Sequence, residues 1–543
     1  MDLFDNLPPW YSIGTNYYLN ITLNGAQVIS IFSANAAVYR IAVFVCILSA
    51  SLLAGAPSMA QSVSFTLSGV RFTESVYLDD RELQSAVRPY VDRPITFADV
   101  QSMIQDVQAL YTAAGVFTGR VVLLPQDVVN NGVLRLDLVE ANVADIEQVG
   151  LGRTRPEFIR KNISIVEGEK PNYENLERDL RIFEISHGFI PQIAFKKGSK
   201  SATTDVSISG TPPDGPEYVF SLDNFGTEAT GDLRASVFFR YENLSGWRDT
   251  LSAQLQASEG TVSGSVGYSR PMFRPGGRGY TTLSYSESSV ISGGFSPVRL
   301  ESNNLTGTIG YSFPFRIKPD SNWTADFSLL HQQGESQLVT LNFQDTTVTA
   351  LTASAGYSRL RNERRLSFGF GLRAGSADTV ETSLTEGSFT LAFGDVAYAR
   401  RLGKGAILDA TLRMQLAPDQ NLPVSQLMSA GGITSVRGYP NNVRSGDSGA
   451  IFRAQISRAQ PWGQGNAKFY PFGFVDGAAI LPFRTTGSAI NSDQDLLVSA
   501  GFGVQAQINK RYTALLTIAQ PLKETLGFSD LGTKIYFGLD AKF

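Results

Sequence analysis

Two side chains of opposite charge carry the clearest chemistry in the chain. Arg437 sits in Val436-Arg437-Gly438-Tyr439, inside the glycine-rich stretch Gly431 to Gly449 (GGITSVRGYPNNVRSGDSG). Asp476 follows about a strand and a turn later, in Phe472-Gly-Phe-Val-Asp-Gly477. A glycine-rich stretch of this length between strand-like segments is a loop, and long loops in regular β regions are more often functional than accidental. An arginine buried in such a loop needs an anionic partner. Alternation puts Phe472, Phe474 and Asp476 on one strand face. The expectation is an ion pair, Arg437 to Asp476, that latches the loop to a wall.

No other residues group as a catalytic centre would. The chain has 2 histidines and 1 cysteine. His187 falls in the last turn of a helical segment, where a cation suits the helix dipole. His331 lies in a strand or turn with no second histidine near it in sequence. Gly369-Phe-Gly371-Leu-Arg-Ala-Gly375 reads as a strand rather than a phosphate loop. The expectation is no enzyme, no cofactor and no metal. A net charge of −4 gives no sign of a nucleic-acid partner.

The elements that must position the pair are strands. Trp323, Ala325, Phe327 and Leu329 alternate with polar neighbours, as do Leu305, Ile309, Tyr311 and Phe313. Phe389, Leu391 and Phe393 do the same, and so do Phe452, Ala454 and Ile456. One apolar and one polar face per strand fits a wall between lipid and a wet lumen. An Asp476 facing lipid would be costly, so its face should be the lumen side. Transmembrane strands take roughly 9–11 residues each. The stretch from Pro216 to Phe543 therefore fits sixteen strands with their connections, although fourteen or eighteen also satisfy the arithmetic. The last ten residues alternate and end on Phe543.

Two smaller α+β units precede the barrel. In the first, Val63 to Val70 alternates as a strand, and Asp79 starts a helix with Glu82 placed for a capping box. Thr96 caps a second helix whose Val100, Met103, Ile104, Val107, Leu110 and Tyr111 share one face. Gly115 ends it. Arg120 to Leu124 and Val133 to Glu140 are strands, with Asn130-Asn131-Gly132 as a hairpin signal. The second unit repeats this order. Val143 to Val149 is a strand, Thr154 with Pro156 and Asn172 open helices, and Gly188 closes the last one. Phe189 to Phe195 and Asp205 to Ser209 form its hairpin. Each unit leaves a sheet edge open to an extended partner. Thr211 to Pro216 reads as a linker. The expected boundaries are 61–142, 143–212 and 213–543, the last including the inward loop 431–449.

Ahead of these lies an export signal. Ile41 to Ala56 is an apolar run after Arg40, and Ser58 and Ala60 suit cleavage before Gln61. Residues 1–60 are thus expected to be a signal peptide with an extended first region. Cleavage would remove Cys46, the single cysteine, and with it all thiol chemistry.

These motifs together resemble the two-partner secretion transporters (TpsB), the haemolysin secretion/activation family. The resemblance covers nearly all of the chain after residue 60. It rests on Tyr111-x-x-x-Gly115 with Leu124-Pro125-Gln126-Asp127 and Gly132 to Glu140. It rests also on Leu222-Asp223-Asn224-x-Gly226, on Val436-Arg437-Gly438-Tyr439, and on Ala500-Gly501-x-Gly503 with Ala519-x-Pro521. It implies two polypeptide-transport-associated (POTRA) modules in the periplasm and a sixteen-stranded outer-membrane barrel. It implies recognition of a secreted exoprotein with an N-terminal secretion domain by the module residues Tyr111, Gly115, Pro125, Gln126, Gly132 and Glu140. It implies a latch of Arg437, Gly438, Tyr439 and Asp476, and barrel-assembly machinery that reads Phe543. Members often carry a plug helix before the first module, and a start at Gln61 leaves almost no room for one. The family's Phe-x-Asp-x-Gly strand motif stands here as Phe474-Val475-Asp476-Gly477-Ala478, with glycine and alanine exchanged. The alternatives are an insertase of the barrel-assembly kind and a passive porin, the latter leaving the modules unexplained.

Overall fold

The computed structural model describes residues 64–126, 132–293, 300–338, 341–380, 387–403, 405–417, 422–458, 466–481, 496–509, 511–525 and 531–543. The signal region, Cys46 and the cleavage point before Gln61 lie outside the described residues, as do Asp127, Asn130 and Asn131.

The first module runs β1 (Phe65–Leu67), β2 (Gly69–Phe72), α1 (Asp80–Val87), β3 (Arg93–Ile95), α2 (Phe97–Ala113), β4 (Gly119–Val122) and β5 (Val133–Glu140). The expected first strand is split at Ser68, because the Ser68 and Gly69 N–H groups both turn to the Gly132 carbonyl. The half after the split lies parallel to β5, and the half before it pairs with β3, which the sequence reading lacked. Asp79 caps α1 through the Arg81 N–H rather than in a box with Glu82. Thr96 and Asp99 do form a capping box on α2. The face of α2 bearing Val100, Met103, Val107 and Tyr111 packs on Leu134, Leu136 and Leu138 of β5. Burial of each such side chain contributes about 1.5–3 kcal/mol, which holds helix to sheet.

The second module runs β6 (Asn142–Val149), α3 (Pro156–Asn162), α4 (Tyr173–His187), β7 (Gln192–Lys197) and β8 (Thr203–Ser209). Here β8 is central, parallel to β6 and antiparallel to β7. Arg155, not Thr154, is the N-cap of α3 and makes no side-chain cap; Pro156 suits the first turn because its missing N–H is not needed there. Asn172 caps α4 through the Asn175 N–H, and Gly188 closes it in the left-handed region at φ 72.

Sixteen strands close an antiparallel barrel, from β9 (Gly215–Asp223) through β19 (Ala406–Leu416) and from β22 (Ser448–Arg458) through β26 (Lys534–Lys542). The last strand returns to the first, Gly538 opposite Asp223 and Lys542 opposite Val219. Leu305, Ile309, Phe327, Leu329, Phe452 and Ile456 are exposed on the outer face, as lipid contact requires. Phe389, Leu391 and Phe393 do not follow that rule. Leu391 lies opposite Arg373, while the outward Leu372 lies opposite Ala392. The apolar face of this strand therefore points into the lumen, where it packs with Leu330, Val348 and Leu422. Alternation alone cannot tell which face is wet once a loop returns to cover the inner one.

The 211–216 segment is pinned rather than loose. The Asp214 carboxylate accepts the Arg153 N–H at 2.6 Å, Asn243 Nδ2 at 2.8 Å and Arg248 Nη1 at 2.9 Å. Arg248 also donates to the His187 carbonyl at 3.0 Å, and Arg278 to the Ser186 carbonyl at 3.2 Å. Two barrel arginines thus cap the C-terminus of α4. Burial, reinforced by those two cations, holds the His187 imidazole well below its ordinary pKa. His187 is therefore neutral, not the dipole-complementing cation expected, and it packs edge-on against Phe158 and Phe183. His331 lies on a barrel strand beside Thr349 Oγ1 at 2.9 Å.

Candidate functional site

The connection between β19 and β22 is long and folds into the barrel. Within it β20 (Met428–Ala430) and β21 (Arg444–Gly446) pair as a small ladder. The tip between them carries Val436, Arg437 and Tyr439, all buried. Glycines make the tip possible. Gly438 has φ 94, and a Cβ there would lie 3.1 Å from the Pro521 ring. Its N–H donates to the Tyr536 hydroxyl at 3.0 Å.

Opposite the tip stands β23 (Ala467–Leu481). Its Val475 is exposed to the outside, while Phe472, Phe474 and Asp476 face inward and are buried. Arg437 reaches Asp476 with both arms: Nε to Oδ2 at 2.6 Å and Nη2 to Oδ1 at 2.8 Å. The Arg437 backbone N–H adds a third bond to Oδ2 at 3.2 Å. Nη1 donates to Gln455 Oε1 at 3.0 Å, and the guanidinium lies 3.4 Å from the centre of the Phe474 ring. Arg453 approaches the same carboxylate at 3.6 Å and donates to the Thr434 carbonyl at 3.1 Å. Asp476 has no exposed surface and Arg437 is only 4% exposed, so the pair is shielded from water. A forked, fully hydrogen-bonded pair of this kind compensates its own desolvation.

Two further residues fix the loop. The Tyr439 hydroxyl accepts the Val498 N–H at 3.2 Å and lies 2.6 Å from the Lys523 carbonyl, bridging to β24 (Leu496–Ile508). Asn441 donates to the Phe225 and Gly226 carbonyls at 2.9 and 2.7 Å, tying the loop to the connection after β9. The arrangement can hold or release a loop.

Sequence reasoning missed Gln455, Arg453, Asn441 and Tyr536. Parity puts Arg453 and Gln455 on one face of β22, but only the ladder sets Arg453 opposite Asp476 and Gln455 opposite Phe474.

The module residues divide into two groups. Tyr111 and Glu140 are buried and meet each other, the Tyr111 hydroxyl donating to Glu140 Oε1 at 2.8 Å. Glu140 also accepts Ser75 Oγ at 2.5 Å, the Val76 N–H at 3.0 Å and Lys170 Nζ at 2.9 Å. Burial works against this carboxylate, but those four donors outweigh it and hold its pKa below the ordinary value. Burial pushes the Tyr111 hydroxyl up. Since Lys170 belongs to the second module, the buried Glu140 joins the two modules. Tyr77 and Tyr173 extend the joint, bonding to the Pro171 carbonyl and to Thr118 Oγ1. Gly115 and Gly132 are turn residues, with φ 71 and 62. Pro125 and Gln126 are exposed, and the Gln126 amide bonds both backbone groups of Arg135, prolonging the edge beyond β4. No cluster of His, Cys, Asp and Glu suited to a metal occurs among the described residues.

Residues 202–506 match the family described as haemolysin secretion/activation protein ShlB/FhaC/HecB, and residues 65–141 match the ShlB-type POTRA domain. The heme/hemopexin transporter protein HuxB of Haemophilus influenzae is 22% identical over 493 residues, 87% of this chain and 86% of that protein. The solved structure of CdiB from Escherichia coli shares the fold with a TM-score of 0.69 at 17% identity, covering 92% of this chain and 93% of that one. BamA from Haemophilus ducreyi, solved without POTRA domains 1–3, shares it with a TM-score of 0.53 at 12% identity, over 89% of this chain and 100% of that one.

Proposed function

The chain belongs to the haemolysin secretion/activation family, and from that premise we propose that Arg437 and Asp476 form the latch of a protein-conducting pore in the outer membrane. The protein is an outer-membrane transporter of the two-partner kind, with its POTRA modules in the periplasm. It translocates an exoprotein across the membrane. Division into modules 61–142 and 143–212 and a barrel 213–543 fits the separate cores and the closed ladder.

In our reading the unfolded exoprotein is recognised through its N-terminal secretion domain. The exposed strip at Pro125 and Gln126 and the open edge of β7 are where an extended segment can add to a sheet. Glu140 and Tyr111 serve this step indirectly, by holding the two modules at one angle. The chain then enters the lumen beneath the inward loop. Passage requires the loop to yield, and the forked pair sets how much free energy that takes. Folding of the exported chain outside supplies direction. The site transports and does not catalyse. Phe543 pairs through its backbone with Tyr218 at 2.8 and 3.0 Å and is half exposed, and in our reading assembly machinery reads it at this end of the chain.

The observation that carries this reading is the inward loop bonded to the wall by Arg437. The test is co-expression of an exoprotein encoded beside this chain with and without it. Surface release that depends on this protein is expected; equal release without it would overturn the proposal.

One feature favours the insertase reading. The β26–β9 register is the shortest of the barrel's ladders, five pairs from Gly538 to Lys542. A short seam opens sideways more easily. Yet Asn224 prolongs it by bonding the Ile535 carbonyl at 2.9 Å and the Phe537 N–H at 2.8 Å. Depletion that lowers the whole complement of outer-membrane barrels, not just one exoprotein, would favour insertion.

A further inference from the structure

The outer wall carries a charged band that transport does not use. Arg361 of β16 (Leu341–Arg361) lies opposite Arg364 of β17 (Arg364–Val380), and Arg364 lies opposite Arg400 of β18 (Gly387–Leu402). Directly opposed residues share a sheet face. This face is outward, since the exposed Leu351, Phe370 and Leu372 have the same parity. Three arginines side by side repel one another, and like charges directly opposite destabilise a ladder. Arg316 and Lys318 stand on the same face, opposite Trp323 and Ser321. The acids nearby bond to other arginines, Asp320 to Arg359 at 2.8 Å and Glu363 to Arg401 at 3.7 Å, and Asp320 acts on Arg361 only through space. Among the described residues, Arg361, Arg364 and Arg400 have no ion pair.

Depth follows from topology. The strand β9 leaves the second module at Gly215, and antiparallel order puts the turn between β16 and β17 at that same, periplasmic end. Toward the membrane from the arginines comes the Arg359–Leu366 pair, and beyond it Trp323, Tyr357 and Phe368 form a row in register. Their neighbouring ring centres are 5.0 Å apart. Aromatic rows of this kind mark the headgroup level of a bilayer. The arginines therefore stand at headgroup depth, where guanidinium groups bind phosphate with two parallel bonds.

We propose that Arg361, Arg364 and Arg400 form a binding site for an anionic phospholipid of the periplasm-facing leaflet. Its phosphate diester bridges the three guanidinium groups and relieves their repulsion, while its acyl chains lie on the Trp323–Tyr357–Phe368 row. The aromatic row beyond them is what selects a lipid over free phosphate.

The test uses full-length protein in nanodiscs of mixed phosphatidylglycerol and phosphatidylcholine, with retained lipids counted by native mass spectrometry. The wild type should retain phosphatidylglycerol preferentially. Replacement of Arg361, Arg364 and Arg400 by Gln should reduce that preference by about fivefold per arginine, about 1 kcal/mol each. In lipid-free detergent the triple variant should unfold at the same temperature as the wild type or higher, because repulsion is removed. A lower unfolding temperature would reveal a structural role and overturn the proposal. Equal retention of both lipids by the wild type, an unchanged preference in the variant, or the same stabilisation by inorganic phosphate alone would also overturn it.

Discussion

Arg437 is the residue on which the inward loop depends. Its charge, its backbone N–H and its planar fork all converge on one carboxylate that has no exposed surface. Loss of either partner strands the other, at a cost of about 3–5 kcal/mol. Arg437→Ala and Asp476→Ala should therefore each release the loop and impair secretion while the barrel still inserts. Release is measured as proteolytic access to residues 431–449 from outside. Arg437→Lys should rescue poorly, since an ammonium cannot hold Asp476 and Gln455 from one plane. Exchanging the two charges should also restore little. An arginine at 476 would meet Arg453. Full secretion by Arg437→Ala would count against the latch.

At the scale of elements, the helix α4 carries a group that makes it sensitive to pH. His187 lies at its C-terminus, fully enclosed, and among the described residues neither ring nitrogen makes a well-formed hydrogen bond. Its pKa is lowered well below 6.5 in the folded protein. The unfolded chain therefore binds a proton below pH 6.5 that the folded one does not. Stability then falls as pH falls, by about 1.4 kcal/mol per unit until the folded form also protonates. Amide exchange in α4, corrected for intrinsic rates, should speed up between pH 7.5 and 5.5. His187→Phe, which keeps the stacking on Phe158 and Phe183, should remove that dependence. An equal pH response in the variant would assign the effect to other groups. The same helix end is tied to the barrel by Arg248 and Arg278, so its loosening should also free the second module.

For the whole molecule, the modules and the barrel are joined by bonds rather than by a slack linker. Asp214, Arg248 and Arg278 fix the second module to the barrel, and Glu140 with Lys170 fixes the first module to the second. Orientation is thus passed along the chain from the periplasmic edge to the lumen. A barrel beginning near Glu217 should insert yet secrete nothing, and deletion of either module should do the same. Secretion is read as exoprotein in the medium, and insertion as heat-modifiable migration of the barrel. Normal secretion by the truncated barrel would remove recognition from the modules.

The sequence by itself determined the periodic features. Alternation produced the barrel, the 3.6-residue period of Val100, Met103, Val107 and Tyr111 produced α2, and the caps Thr96 and Asn172 marked helix starts. These are local: each depends on neighbours a few residues away, so the chain states them openly. It also placed Asp476 on the lumen face, because parity and the cost of a carboxylate in lipid need no partner. Tertiary structure decided what depends on register and enclosure. Glu140 belongs to the joint between modules only because Lys170 folds against it. Phe389 and Leu391 face inward only because the segment around Leu422 returns to cover them. His187 is neutral because folding buries it, and the barrel's arginines add to that effect. Burial and cross-strand pairing are set by residues far apart in sequence, and no local pattern encodes which of two alternating faces the rest of the molecule will cover.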